Sequence, residues 1–69
     1  MSTIVVVSGG FDPVHKGHIA LFESAKALGD ILVVALNSDK WLQRKKGRSF
    51  MLFEERRLIV RNLKMVDEV

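Results

Sequence analysis

At 69 residues the chain has room for one domain at most, and so short a chain buries only about 60% of the surface its unfolded form exposes. It has no cysteine, which excludes disulfide staples and thiolate metal sites and suits a cytoplasmic protein. The net charge of +3 comes from a local excess, Arg44, Lys45, Lys46 and Arg48 and then Arg56, Arg57, Arg61 and Lys64, which asks for an anionic partner: nucleic acid, a phosphorylated small molecule or an acidic surface.

Met1-Ser2-Thr3 puts no basic stretch ahead of an apolar run, so no signal peptide is expected. Thr3 to Val7 reads Thr-Ile-Val-Val-Val, which suits a strand buried on both faces, as in a parallel sheet. Gly9-Gly10 ends it, with the freedom for positive φ and for close approach of the backbone to a ligand. Asp12-Pro13 marks a turn. A helical pattern starts near His15 to Gly17, with His18, Leu21, Phe22, Ala25 and Leu28 on one face and Gly29 as a stop. Ile31 to Leu36 is a second apolar strand, far short of the roughly 20 residues that span a bilayer, so no membrane partner is expected. Strand, loop, helix and strand make a crossover of the length that parallel strands need, expected to be right-handed.

Lys40 to Arg48 is basic with a single aromatic, Trp41; a helical turn can open it, but its charge density and Gly47 predict a mobile loop. Trp41 is assigned a lid or packing role and no chemistry. Glu54 to Lys64 forms a second helix, with acids in its first turn and Lys64 in its last. No Ser, Thr, Asp or Asn stands immediately before Glu54, so a side-chain cap is missing. Phe22, Leu28, Leu58, Ile59 and Leu63 are the expected core. Met65 to Val69 looks like the opening of a third strand, and the chain stops there. A sheet that thin keeps a raw edge, so residues 1–69 are expected to be the first half of a larger α/β domain or to be completed by a neighbouring copy.

The stretch Ser8-Gly9-Gly10-Phe11-Asp12-Pro13-Val14-His15-Lys16-Gly17-His18 joins the first strand to the first helix, where α/β proteins place phosphate chemistry. Backbone N–H groups around Gly9, Gly10 and Phe11, the positive end of the helix near Gly17, and the paired His15 and His18 all favour a chain of phosphates. No nucleophile with an evident base stands in the stretch. A site rich in donors and without a nucleophile suits direct phosphoryl or nucleotidyl transfer, where positioning and charge stabilisation carry the reaction. Neither a G-x-x-x-x-G-K-[S/T] loop nor a G-x-G-x-x-G turn is present. Two histidines without a third ligand do not fill a zinc shell.

His15-Lys16-Gly17-His18 resembles the H-x-G-H signature of the cytidylyltransferase-like nucleotidyltransferase superfamily, and the stretch from Gly10 to His18 matches G-x-F-D-x-x-H-x-G-H in every fixed position. Leu28-Gly29-Asp30, Val33 to Asp39, the basic Arg44-Lys45-Lys46-Gly47, the Glu54-Glu55-Arg56 helix start and Val66-Asp67-Glu68-Val69 resemble the family's following segments in order. The likeness is greatest to the glycerol-3-phosphate cytidylyltransferases and the heptose-1-phosphate adenylyltransferase domains. It implies a Rossmann-like α/β parallel sheet of HUP type, of which this chain carries the N-terminal β-α-β-α-β half.

The resemblance also implies roles. His15 and His18 are the expected catalytic pair, contacting the triphosphate and steadying charge at the α-phosphorus as pyrophosphate leaves. Gly9, Gly10, Phe11, Asp12 and Gly17 are the expected nucleotide-binding residues, Asp12 by way of the phosphate and metal region or as a turn residue only. Lys45 or Lys46, with Lys46 ahead, reaches a phosphate, and Arg56 lies near the acceptor phosphate or the β/γ-phosphates. The implied partners are a nucleoside triphosphate, CTP ahead of ATP, and a small phosphorylated alcohol or sugar, with Mg²⁺ held mainly by the nucleotide phosphates. Dimers are common among the families resembled. Two departures stand out: Leu52 occupies a position where the family often has Ser or Thr, and the family's later Ser/Thr-rich signature lies beyond the last residue. The alternatives are a non-catalytic nucleotide-binding remnant and a basic nucleic-acid module, the latter weakened by the scarcity of stacking aromatics.

Overall fold

The computed structural model describes residues 2–69 as an α/β fold built on parallel strands. The β-branched run forms β1 (Ile4–Gly9) and the second apolar run β2 (Ile31–Leu36), paired parallel from Ile4 opposite Ile31 to Gly9 opposite Leu36. The crossover between them is α1 (Lys16–Lys26). Then come α2 (Asp39–Lys46) and α3 (Phe53–Arg61). The C-terminal segment reaches the other edge of β2 through a parallel bridge between Val33 and Glu68, with Val34 N–H donating to Glu68 O at 2.8 Å. The third strand thus opens where the sequence places it. Among the described residues no helix is long and apolar enough to cross a membrane.

One face of the sheet is covered and the other is open. Phe22 and Ala25 of α1 and Val60 of α3 join Leu32, Val34, Phe11, Met65 and Val66 in one core, with Val5 and Val7 against it. The opposite side of β1 carries Ile4 and Val6, 60% and 62% exposed. The expectation of a strand buried on both faces is therefore corrected: β-branched composition reports a strand but not what lies over each face.

The expected core is corrected too. Phe22 is fully buried and Leu63 partly so, but Leu28, Leu58 and Ile59 are exposed. Leu28 lies past the end of α1 at Ala27, outside the helical period. On α3 the buried stripe is Arg56 and Val60, one turn apart, so a charged residue holds a place that an apolar pattern assigns elsewhere. The helix also ends at Arg61 rather than Lys64.

The basic segment is a helix and not a loop. Ser38 Oγ caps α2 by accepting from Trp41 N–H at 3.1 Å, and Arg44, Lys45 and Lys46 fill the last turn, where the dipole favours cations. Gly47, at φ 84, is the left-handed residue that closes the helix. α3 begins at Leu52 with no side-chain cap, as its sequence predicts.

Candidate active site

The turn from β1 into α1 is shaped by close approach more than by glycine freedom. The residue with positive φ is Phe11, at 48°, and neither Gly9 nor Gly10. A Cβ on Gly9 would meet the Phe11 ring at 2.9 Å, and one on Gly10 would meet Leu42 Cδ2 at 2.8 Å. Phe11 therefore folds back over β1 into the core, 7% exposed, with its ring edge-on to Phe22 at 5.1 Å and to His18 at 4.9 Å.

His15 and His18 cap α1 reciprocally. His15 Nδ1 accepts from Gly17 N–H at 3.1 Å, and His18 Nδ1 accepts from His15 N–H at 3.1 Å. This is the capping-box pattern with imidazoles in place of the usual hydroxyl and carboxylate. The rings stack with centroids 3.9 Å apart and planes 28° from parallel. A neutral imidazole whose Nδ1 accepts carries its proton on Nε2. Each ring is thereby left with one N–H donor to offer. Burial, with the nearby His15 adding to it, holds His18 below the ordinary 6.5, so at neutral pH it donates as an uncharged group.

The two rings line an open cleft of ≈ 330 Å³, together with Gly10, Phe11, Asp12 and Pro13 of the turn and Trp41, Leu42, Lys45 and Lys46 of α2. Lys45 Nζ lies 5.6 Å from the centre of the Trp41 ring, which keeps its cation at the cleft. Lys46 Nζ is paired with Asp12, at 3.1 Å from Oδ2 and 2.9 Å from the backbone oxygen. Of the two lysines, Lys45 is the one not tied to a carboxylate, the reverse of the order the sequence suggests.

Asp12 is 1% exposed at its side chain. Its carboxylate accepts from Phe50 N–H and Met51 N–H, both at 2.5 Å, and from Lys46. Burial raises its pKa, but the bonds from Phe50, Lys46 and Met51 and the Lys46 charge outweigh it and hold the group below 3.8. Both oxygens accept from the chain, so Asp12 staples the connection between α2 and α3 to the turn. Among the described residues no three His, Asp or Glu side chains gather as a metal site.

Of the residues singled out in the sequence, the structure brings Gly10, Phe11, Asp12, His15, His18, Lys45 and Lys46 to one cleft. It does not bring Gly9, Gly17 or Arg56 there. Gly9 is spacing for Phe11, and the Gly17 N–H is taken by His15. Arg56 is fully buried and does not line the cleft. Trp41, given only a lid or packing role by the sequence, and Leu42, not singled out, also line the cleft. Their signal was present: Trp41 and Lys45 are i and i+4, neighbours on a helix face once α2 is recognised as a helix.

Residues 6–69 match the family described as Cytidylyltransferase-like. The glycerol-3-phosphate cytidylyltransferase of Bacillus subtilis strain 168 is 45% identical over 65 residues, covering 94% of this chain and 50% of that protein. The bifunctional protein HldE of Helicobacter pylori strain HPAG1 is 47% identical over 68 residues, covering 96% of this chain and 15% of its own length. The crystal structure of a lipopolysaccharide core biosynthesis protein from Thermoplasma volcanium GSS1 superposes with a TM-score of 0.92 at 31% identity, over 99% of this chain and 56% of that one. The chain thus spans about half the length, or less, of the relatives it matches.

Proposed function

The chain belongs to the cytidylyltransferase-like family, and from that premise we propose that it transfers a nucleoside monophosphate, CMP ahead of AMP, from a nucleoside triphosphate to a phosphorylated alcohol or sugar. An oxygen of the acceptor phosphate forms a bond to the α-phosphorus. The bond from that phosphorus to the β-bridging oxygen breaks, and its electron pair leaves with pyrophosphate. No covalent enzyme intermediate is needed, so the protein's task is to bind, orient and neutralise.

The observation that carries the reading is the reciprocal cap. It consumes both Nδ1 atoms as acceptors and leaves the Nε2 atoms of His15 and His18 as two adjacent, fixed donors at the cleft. Lys45 supplies a cation at the same cleft. Mg²⁺ enters with the triphosphate as part of the substrate, held mainly by phosphates and water. CTP stands ahead of ATP because the likeness includes a short cytidylyltransferase, 45% identical over 94% of this chain.

The test is initial-rate assay of pyrophosphate release with CTP and with ATP, against glycerol phosphate and sugar phosphates, paired with calorimetric titration of each nucleotide. Release that depends on both nucleotide and acceptor is the expected result. Nucleotide binding without release would make the chain a binding module, and tighter binding to single-stranded DNA than to nucleotide would replace the reading altogether.

A further inference from the structure

We propose that Arg56 is a positioning residue and not a phosphate ligand: it holds the α2–α3 connection against the histidine turn. The inference depends on the transfer reading only for its kinetic test.

Arg56 is 0% exposed and is the largest fully buried side chain in the chain. Its guanidinium is committed to protein acceptors on every nitrogen. Nε donates to Met51 O at 3.2 Å, Nη1 to Gly10 O at 2.9 Å and to Asn37 O at 2.7 Å, and Nη2 to Asp39 Oδ1 at 2.9 Å. An arginine that clamps a phosphate must present its fork to the ligand. Here the fork is spent on the chain itself, and the side chain does not line the cleft.

What it grips explains its use. Gly10 belongs to the turn, Asn37 follows β2, Asp39 opens α2 and Met51 lies in the connection to α3. Asp12 grips the same Met51 from its other side, taking the N–H while Arg56 takes the carbonyl. Two groups of opposite charge thus hold one residue without pairing with each other. The lysines at the end of α2 and the imidazoles of the turn share a cleft because these bonds fix α2 and the turn to common points.

The test uses Arg56→Lys, Arg56→Ala and Asp39→Asn in the full chain. Lysine keeps the charge but cannot span the fork. Amide hydrogen exchange is read at Phe50 and Met51, with Val34 as the control for global opening. Exchange about tenfold faster at Phe50 and Met51, with Val34 unchanged, is expected for Arg56→Lys. In initial-rate assays the loss should fall on kcat, about tenfold or more, with the KM of the acceptor within about twofold. Asp39→Asn should move both readouts the same way, although Asp39 does not line the cleft. A rise of about tenfold in acceptor KM with exchange unchanged would identify Arg56 as a ligand and overturn the proposal. Absence of turnover in the parent chain would defeat the transfer reading alone, and exchange would still decide the clamp, with unchanged rates at Phe50 and Met51 counting against it. Should Arg56→Ala fail to fold, the other two variants carry both readouts.

Discussion

The histidine turn and the connection between α2 and α3 are held by different kinds of bond. In the turn, the caps join residues two and three apart in sequence. In the connection, the bonds from Asp12 and Arg56 that fix it to the turn span from 34 residues, Lys46 to Asp12, up to 46, Arg56 to Gly10. A turn closed by its own residues can be read from a short motif. A segment tied by distant polar groups cannot, because each partner's role exists only after the chain has folded.

The sharpest way to break that contrast is at His18, which both closes the turn and lines the cleft. His18→Gln keeps an acceptor at the third helical position, the usual residue type of a capping box. Turnover should fall about 10²–10³-fold, as for loss of one preorganised donor, while the melting temperature stays close to the parent's. An equal loss of stability would mean that the turn is not self-sufficient. Asp12→Ala attacks the distant ties instead. It leaves the Phe50 and Met51 N–H groups without their acceptor and should cost about 1–3 kcal/mol in denaturant unfolding. Ser38→Ala removes the cap of α2, whose last turn carries the lysines, and should cost about 1 kcal/mol by the same measurement. Leu52→Ser adds the cap that α3 lacks and should raise stability by about 0.5 kcal/mol, because Leu52 is 61% exposed and gives up little burial.

Acid separates the two regions without any substitution. His18 titrates below 6.5 when folded, so as pH falls through 6.5 the unfolded chain takes up a proton that the folded chain does not. Stability contributed by the neutral ring is complete above 6.5 and declines below it, down to the folded pKa. Asp12 titrates below 3.8 when folded, so its contribution is complete above 3.8 and is lost only as pH falls further. Unfolding followed by denaturant across this range should show two declines, the first abolished by His18→Gln and the second reduced by Asp12→Ala, with Asp67, which Lys26 and Leu32 N–H also hold below 3.8, supplying the remainder.

These differences match what could be read from residues alone. Both strands, α1, the opening of the third strand and the missing cap of α3 were legible, because each depends on local pattern. Of the cleft, the paired histidines, Gly10, Phe11, Asp12 and the two lysines were legible through the motif. Three features were not. α2 was hidden by its own charges, which signal a loop only if one ignores that three of them occupy the last helical turn. The burial of Arg56 was not legible, because its guanidinium meets four acceptors in three separate segments, at Gly10, at Asn37 and Asp39, and at Met51, and no spacing shows that. The openness of one sheet face was hidden because a continuous β-branched run records which residues are apolar and says nothing of what covers them.

The imidazole cap on α1 sets a limit on how this protein can be improved. Histidine is a poor choice at a helix N-cap, where Ser, Thr, Asp or Asn does better, and α1 has no acid in its first turn. Replacing His15 by Asp would be among the simplest ways to gain thermostability, and it would delete one of the two donors. Selection for heat resistance alone should therefore drift through this position toward stable, inactive proteins, and selection for turnover should hold the weaker cap in place.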